Sequence, residues 1–365
     1  MLTRFAARKR STWRRVFAKT GSIALVGAAL GGGCDSTSDG LNSTSPTLSD
    51  ATVIAEGQQW ARKFYEGDTE ALWGQLTPGM QELTRSKEDL DGFWYVFDGH
   101  NGTELQVFDE RVERLSQYGV YVRSATFEYS ATRQAIRIGL DKYGKIALFT
   151  YGPAEPSKEA ATSYLDYVTR TPLRLPFDGQ WYVAWGGRTV AENRHAAFRD
   201  QRFAYDFYMQ ENGKSYRTTG KENADYLCFG QPVLAPGAGT IVEVGDGIED
   251  NVPGVNNAFG RRIFGNHVII DHGQSEFSIL GHMMNGSTRV KVGDSVDAGA
   301  PLGLCGNSGH STEPHLHYHL QNTGVFAHGD GLPAQFRNYT SNGRFVESGE
   351  PSRQERITNG PPSTR

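Results

Sequence analysis

Gly306-Asn307-Ser308-Gly309-His310-Ser311-Thr312-Glu313-Pro314-His315-Leu316-His317-Tyr318 joins a glycine turn to an alternation of imidazole and apolar side chains. Read as a turn running into a strand, it sends His315, His317 and His319 to one face and Leu316 and Tyr318 to the other. Two imidazoles on one face can serve a single metal environment. A His-x-His pair alone is a weak signal, so its surroundings decide.

The chain has ten histidines, and eight of them fall between His195 and His319. Metal ligation is the usual reason for such clustering in one domain. Around them the chain reads as short strands between glycine turns. Pro232-Val233-Leu234-Ala235-Pro236-Gly237-Ala238-Gly239-Thr240-Ile241-Val242 is one such unit, and Val290-Lys291-Val292-Gly293-Asp294-Ser295-Val296 continuing to Gly303 is another. Gly-Asp turns between alternating apolar residues build compact β sandwiches or barrels. Biotinyl and lipoyl carrier domains use similar units. They need a modifiable lysine in the hairpin between them, and none is evident here.

Together these motifs resemble the lysostaphin-type (LytM-like) zinc metallopeptidases over roughly residues 175–321. Gly306–Tyr318 is similar to the closing signature of that family. The alanine-proline unit, the Val-Gly-Asp unit and Gly281-His282 follow in its order. The resemblance implies an all-β domain of duplicated hybrid motif type and one Zn2+ held by two histidines and an aspartate. His317 matches the final ligand, and Asp206 in Gln201-Arg202-Phe203-Ala204-Tyr205-Asp206-Phe207 matches the aspartate. Typical members carry the first histidine four residues before that aspartate, where this chain has Arg202, a side chain that stays protonated. A variant branch with Asn-x-His further upstream points instead to His195 in Asn193-Arg194-His195. His267, His272 or a degenerate site are the competing readings. His315 and His282 match the family's two non-ligand histidines; His315 is expected to be the general base and His282 the oxyanion contact, unless the two share both duties. His319 sits where many members carry an acid, so a hydrogen bond to a ligand is expected of it. Asn266 is expected to shape the site or the substrate groove, and His267, His272 and His310 to be surface or strand residues rather than ligands.

The rest of the chain fixes context. With 365 residues it can hold two domains at the usual ~100–200 residues each. At 38% hydrophobic and 21% charged, general disorder is excluded. A net charge of −4, with no basic run beyond the N-terminus, gives no support for a nucleic-acid partner. Residues 1–34 read as an export signal, a basic segment without acids followed by the apolar run Gly21–Leu30, which is short for a membrane span. Arg14-Arg15 resembles a twin-arginine motif and Gly32-Gly33-Cys34 a lipoprotein cleavage site. That makes Cys34 a membrane tether, against the reading of an ordinary signal with an incidental cysteine. Residues 35–50 read as a flexible tether. In an exported chain Cys228 and Cys305 are either a disulfide or two buried thiols, and the sequence leaves both open.

Residues 51–153 read as a first, α+β domain. Val53, Trp60, Ala61 and Phe64, then Leu72, Leu76, Met80 and Leu83, recur at helical spacing. Strand-like runs follow at 120–122, 125–129, 135–140 and 146–151. This layout is similar to the cone-shaped nuclear-transport-factor-like fold. It carries no catalytic constellation; Trp60, Trp73, Trp94 and Tyr95 either line a pocket or pack a core. Residues 154–174 read as a linker, 175–332 as the β-rich peptidase domain and 333–365 as an extension of one covering strand and a loose tail. The expected function is an exported, periplasmic or cell-envelope zinc endopeptidase acting on peptidoglycan cross-link peptides. The alternative is an inactive relative that binds cell wall or activates another hydrolase. The sequence does not fix the bond cut or the oligomeric state.

Overall fold

Each of the first three helices starts at a residue whose side chain closes the first turn. The computed structural model describes residues 48–115, 118–255 and 260–361, and the backbone of a strand β1 at Ile23–Val26. Ser49 accepts from the Thr52 N–H ahead of α1 (Asp50–Tyr65), and Asp68 from the Ala71 N–H ahead of α2 (Thr69–Gln75). Thr77 accepts from the Met80 N–H ahead of α3 (Pro78–Thr84), with Pro78 at the first position, where its missing donor costs nothing. A fourth helix, α4, spans Lys87–Asn101. Four strands follow: β2 (Glu104–Leu115), β3 (Tyr118–Phe127), β4 (Gln134–Leu140) and β5 (Ile146–Pro153).

The chain divides into two units. In the first, one sheet runs in the order β1-β5-β4-β3-β2. Val53, Phe64, Leu72 and Met80 from the helices are buried together with Tyr121, Ile138 and Phe149 of the sheet. Phe64 and Phe149 meet edge to face at 4.8 Å. Gly57 lets α1 lie against the Tyr121 ring: a Cβ there would fall 2.2 Å from Tyr121 Cγ. The expected helix faces need two corrections. Trp60 is half-buried and donates to Glu56, and Leu83 is 44% exposed because it faces away from this core. β1 falls inside the segment read as an export signal and pairs antiparallel with β5. The remainder of residues 1–47, including Cys34, lies outside the described residues, as do 362–365.

The second unit contains α4, residues 127–131 and everything from Ser157 onward. Its strands are β6 (Trp181–Trp185), β7 (Tyr205–Tyr208), β8 (Pro232–Leu234), β9 (Gly239–Gly245), β10 (Asn266–Asp271), β11 (Phe277–Met283), β12 (Ser295–Val296), β13 (Pro301–Leu304), β14 (Leu316–Gln321), β15 (Gly331–Leu332), β16 (Phe336–Ser341), β17 (Arg344–Gly349) and β18 (Arg356–Asn359). One long sheet follows the order β12-β9-β10-β11-β14-β7-β6-β18-β16-β17, with β15 beside β14 and β13 paired to β8 apart from it. The two glycine-turn units of the sequence are therefore partners: β12 pairs with β9 and β13 with β8.

One face of this sheet carries the core: Trp181, Tyr205, Phe207, Leu280, Leu316, Tyr318, Leu320 and Phe336 are all essentially inaccessible. Fully burying such side chains contributes about 1.5–3 kcal/mol each before the entropy cost of ordering them. The expected loose tail is not found through Asn359. β16–β18 extend the sheet, and Phe336, Tyr339 and Ile357 join its core. Their apolar residues are too sparse to show a period, yet each sits where the sheet face needs filling. The segment before β6 is pinned as well, since the buried Glu276 carboxylate accepts from the N–H groups of Arg170 and Thr171 and from the Tyr167 hydroxyl. α4 packs in this unit through Asp89 against Arg262 at 3.1 Å and Tyr95 stacked on Phe326. His100 Nε2 lies 3.2 Å from Asp200 Oδ1. Cys228 and Cys305 are free thiols in the core, with Cys228 donating to the Pro314 carbonyl at 3.0 Å. No helix among the described residues is long and apolar enough to cross a membrane.

Candidate metal centre

Register builds the site. In β14, Leu316, Tyr318 and Leu320 turn to the core, so His317, His319 and Gln321 take the other face. In β7 the same alternation buries Tyr205 and Phe207 in the core and leaves Asp206 on the opposite face. His317 pairs with Asp206 across the two strands and with Gly281 of β11 on its other side. Directly paired residues share a face, which sets the His317 imidazole beside the Asp206 carboxylate. Nδ1 of His317 lies 3.0 Å from Asp206 Oδ1.

His195 reaches the same carboxylate from outside the sheet. It belongs to a single 3-10 turn, Arg194–Ala197, and its Nε2 lies 3.6 Å from Asp206 Oδ2. The three donors lie within 4.8 Å of one another. A tetrahedral zinc at about 2.0–2.2 Å from each ligand needs donors roughly 3.3 Å apart, so the observed spacing fits one ion. The opposite ring nitrogens are already engaged. His195 Nδ1 is 2.9 Å from Asn193 Oδ1, and His317 Nε2 is 3.0 Å from His319 Nδ1, whose Nε2 in turn meets Gln321 Oε1 at 3.3 Å. Such contacts fix which nitrogen faces a metal.

His282 arrives by breaking the alternation. Leu280 of β11 lies on the core face and Gly281 opposite His317, so the next residue of a regular strand would return to the core. His282 instead has φ of +61°, a left-handed conformation unusual for a residue with a Cβ. Its ring centroid lies 4.7 Å from that of His315 and 5.7 Å from that of His317. A residue strained in this way marks a constrained position. His282 Nδ1 donates to the Ser308 carbonyl at 2.8 Å. His315 Nδ1 donates likewise to the Glu313 carbonyl at 2.8 Å. Its Nε2 is buried without a hydrogen bond, 3.5 Å from Asp206 Oδ1.

The electrostatics favour neutral imidazoles around one anion. Burial pushes His195 and His282 well below the ordinary histidine range, His282 being lowered further by His315 and His317. His319 is pushed down to about 3 by burial and by His317. For Asp206 burial acts upward, but His195 and His315 close by and the hydrogen bond from His317 outweigh it and hold the carboxyl well below its usual range. A neutral imidazole and an ionised carboxylate are the forms that bind a divalent cation.

The competing histidines are placed elsewhere. Both nitrogens of His267 are occupied, by the Gly265 carbonyl and Glu243, and both of His272, by the Ala238 carbonyl and Ser278. His310 is exposed. Arg202, at the usual first-histidine position, donates to the carbonyls of Ala160 and Arg188. Asn266 is buried and braces the loop at Ile248 and the end of β11 through Met283. Two neighbours escaped sequence reasoning. Tyr208 stacks on His315 with ring centroids 5.0 Å apart and 2° between planes, and Phe264 stacks on His317 at 5.2 Å. The period-2 rule from Asp206 would have placed Tyr208 on the metal face; nothing local marks Phe264.

Residues 224–328 match the model of Peptidase family M23. That span holds His282, His315 and His317 and excludes His195 and Asp206, which join them by geometry. A protein described as an uncharacterized metalloprotease, from Buchnera aphidicola subsp. Baizongia pistaciae, is 32% identical over 118 residues, covering 32% of this chain and 28% of that protein. The peptidoglycan DD-endopeptidase ShyA of Vibrio cholerae is 43% identical over 56 residues, covering 15% of this chain and 13% of that protein. The chain thus spans less than a third of these relatives. A solved zinc containing peptidase from Vibrio cholerae aligns with a TM-score of 0.30 at 14% identity, over 72% of this chain and 97% of that one. The family match and the donor set meet in one region: residues 224–328 match Peptidase family M23, and His317 within that span stands with Asp206 and His195 in a group that could hold one metal ion.

Proposed function

We propose that the chain is an exported zinc endopeptidase that hydrolyses the cross-link peptides of peptidoglycan. The observation that carries this is the convergence of His195, Asp206 and His317, each with its remaining polar atoms held by the protein. His195, Asp206 and His317 would hold a zinc ion, which would supply Lewis acidity at a peptide carbonyl and acidify water there. His315 is the general base in this reading. Its Nδ1–H is committed to Glu313, so the lone pair at Nε2 faces the site and takes the proton there. His282 is wired the same way to Ser308 and is neutral at rest. It can donate to a developing oxyanion only as an imidazolium, so its contact follows gain of a proton at Nε2. Tyr208 holds the His315 ring flat against it.

The substrate class is supported by the peptidoglycan endopeptidase among the relatives. Export, with a lipid anchor at Cys34, is supported by the basic-then-apolar start of the sequence. Residues 51–153 are read as an accessory module of the cone-shaped nuclear-transport-factor-like type, joined through residues 154–174 to the peptidase domain 175–332, with 333–365 as its extension.

Metal analysis of the purified full chain, combined with product mapping on whole peptidoglycan, tests the proposal. One zinc per chain and new peptide ends are expected. His315→Ala should keep zinc and slow cleavage by about 10²–10⁴-fold. Absence of stoichiometric zinc, or unchanged cleavage by His315→Ala, would overturn it. Zinc without any cleavage would point to the non-catalytic relative.

A further inference from the structure

We infer that Arg194, Trp185 and Arg353 form a carboxylate-binding subsite on the rim of the metal centre, so that the favoured substrates are peptides with a free carboxylate near the scissile bond. The inference rests on the substrate reading proposed above and narrows it.

The floor of the subsite is set by register. β6 runs beside β7, with Val183 opposite Phe207 on the core face. A one-residue irregularity then brings Trp185 opposite Asp206. The half-buried Trp185 thereby stands next to a proposed ligand. Two guanidinium groups lie over its ring, Arg353 at 4.3 Å and Arg194 at 5.7 Å from the centroid. Both arginines are exposed, Arg194 with 53% of its side chain accessible. Stacking on an indole holds a guanidinium while leaving its N–H edge to solvent.

Charge supplies the second observation. Arg194 Nη2 donates to Asp206 Oδ2 at 3.0 Å, and this is its ion pair among the described residues. Arg353 donates to the Ala191 carbonyl and has no ion pair among them. A divalent ion in the triad more than neutralises Asp206. Two stacked cations then stand beside a third, and among the described residues Arg353 has no carboxylate partner. A peptide carboxylate fits that place, because guanidinium N–H groups match its two oxygens. A neutral or basic flanking residue would leave the rim unpaired or repelled.

Isothermal titration of the zinc-loaded, cleavage-impaired His315→Ala protein tests this. The probes are peptidoglycan stem peptides with free carboxylates and the same peptides with those groups converted to carboxamides. An exposed charge-assisted contact predicts about tenfold tighter binding of the free acids. Arg194→Gln in the same background should bring the two forms within about twofold, and Arg353→Gln should reduce the preference by about threefold. Equal binding of both forms by the parent, or a preference that survives in both variants, would overturn the subsite. The two readings separate cleanly. A free-acid preference in a chain that never cleaves keeps the subsite and removes the catalysis. Cleavage without the preference does the reverse.

Discussion

The two histidine donors are held in different ways. His317 stands in the interior of a sheet, paired to Asp206 on one side and Gly281 on the other, with Leu316 and Tyr318 locked into the core beneath it. His195 stands on a single turn of 3-10 helix at the edge of the site, and its position is fixed by polar contacts. Asn193 Oδ1 receives the His195 N–H at 3.1 Å and meets its Nδ1 at 2.9 Å, while the Asn193 amide donates to the carbonyls of Gly187 and Ala204. One donor is placed by register and packing, the other by one side chain that ties three backbone segments together. The first arrangement is stiff without further help. The second depends on Asn193.

Two substitutions press on that difference. The largest effect belongs to Asp206, which joins both histidine donors. Asp206→Asn keeps the side-chain shape and removes the charge, and zinc affinity measured by chelator competition should fall by about 10³-fold, one ligand's share of a structural zinc site. The core face is untouched, but the metal-free protein loses a buried carboxylate kept ionised by its partners, so its thermal unfolding should shift downward while the fold is kept. A metal affinity within tenfold of the parent would place the ion elsewhere. Next comes Asn193→Ala. It frees the His195 ring and unties the turn, and zinc affinity should drop by about 10–100-fold even though no donor atom is lost. If affinity held, His195 would be positioned by something other than Asn193, and the contrast between the two histidines would collapse.

The same contrast explains what the sequence discloses. β14 is legible because alternation converts His-x-His directly into two imidazoles on one face, and the core residues between them confirm the period. Asp206 is legible for the same reason, between Tyr205 and Phe207. His195 has no period behind it; its place rests on likeness to a motif and on an asparagine whose bonds reach residues 187 and 204. His282 is found by motif alone, since strand periodicity would send it to the core and only its left-handed backbone brings it back. β2 went unseen because it is an edge strand kept polar: Glu104 and Glu110 pair with Arg123, and Asp109 and Glu113 with Arg111. The last three strands lack the apolar alternation that marks a half-buried sheet, so their pairing is visible only once the neighbouring strands are in place.

The smallest expected effect is the most direct test of the comparison. His319 does for His317 what Asn193 does for His195: its Nδ1 holds the ring nitrogen that faces away from the proposed metal site. If such hydrogen bonds acted alone, removing either partner would cost the same. The strand argues otherwise. The His317 ring is already confined by its register, by Phe264 stacked at 5.2 Å and by the packed core behind it. His319→Ala should therefore lower zinc affinity by less than about tenfold, the bottom of the range for lost supporting hydrogen bonds. Chelator competition on His319→Ala and Asn193→Ala, side by side, reads the ratio. A ratio near one would mean that the supporting bond fixes a ligand wherever it stands. A clear excess for Asn193→Ala would mean that a sheet holds its ligand by packing and a loop holds its ligand by a hydrogen bond.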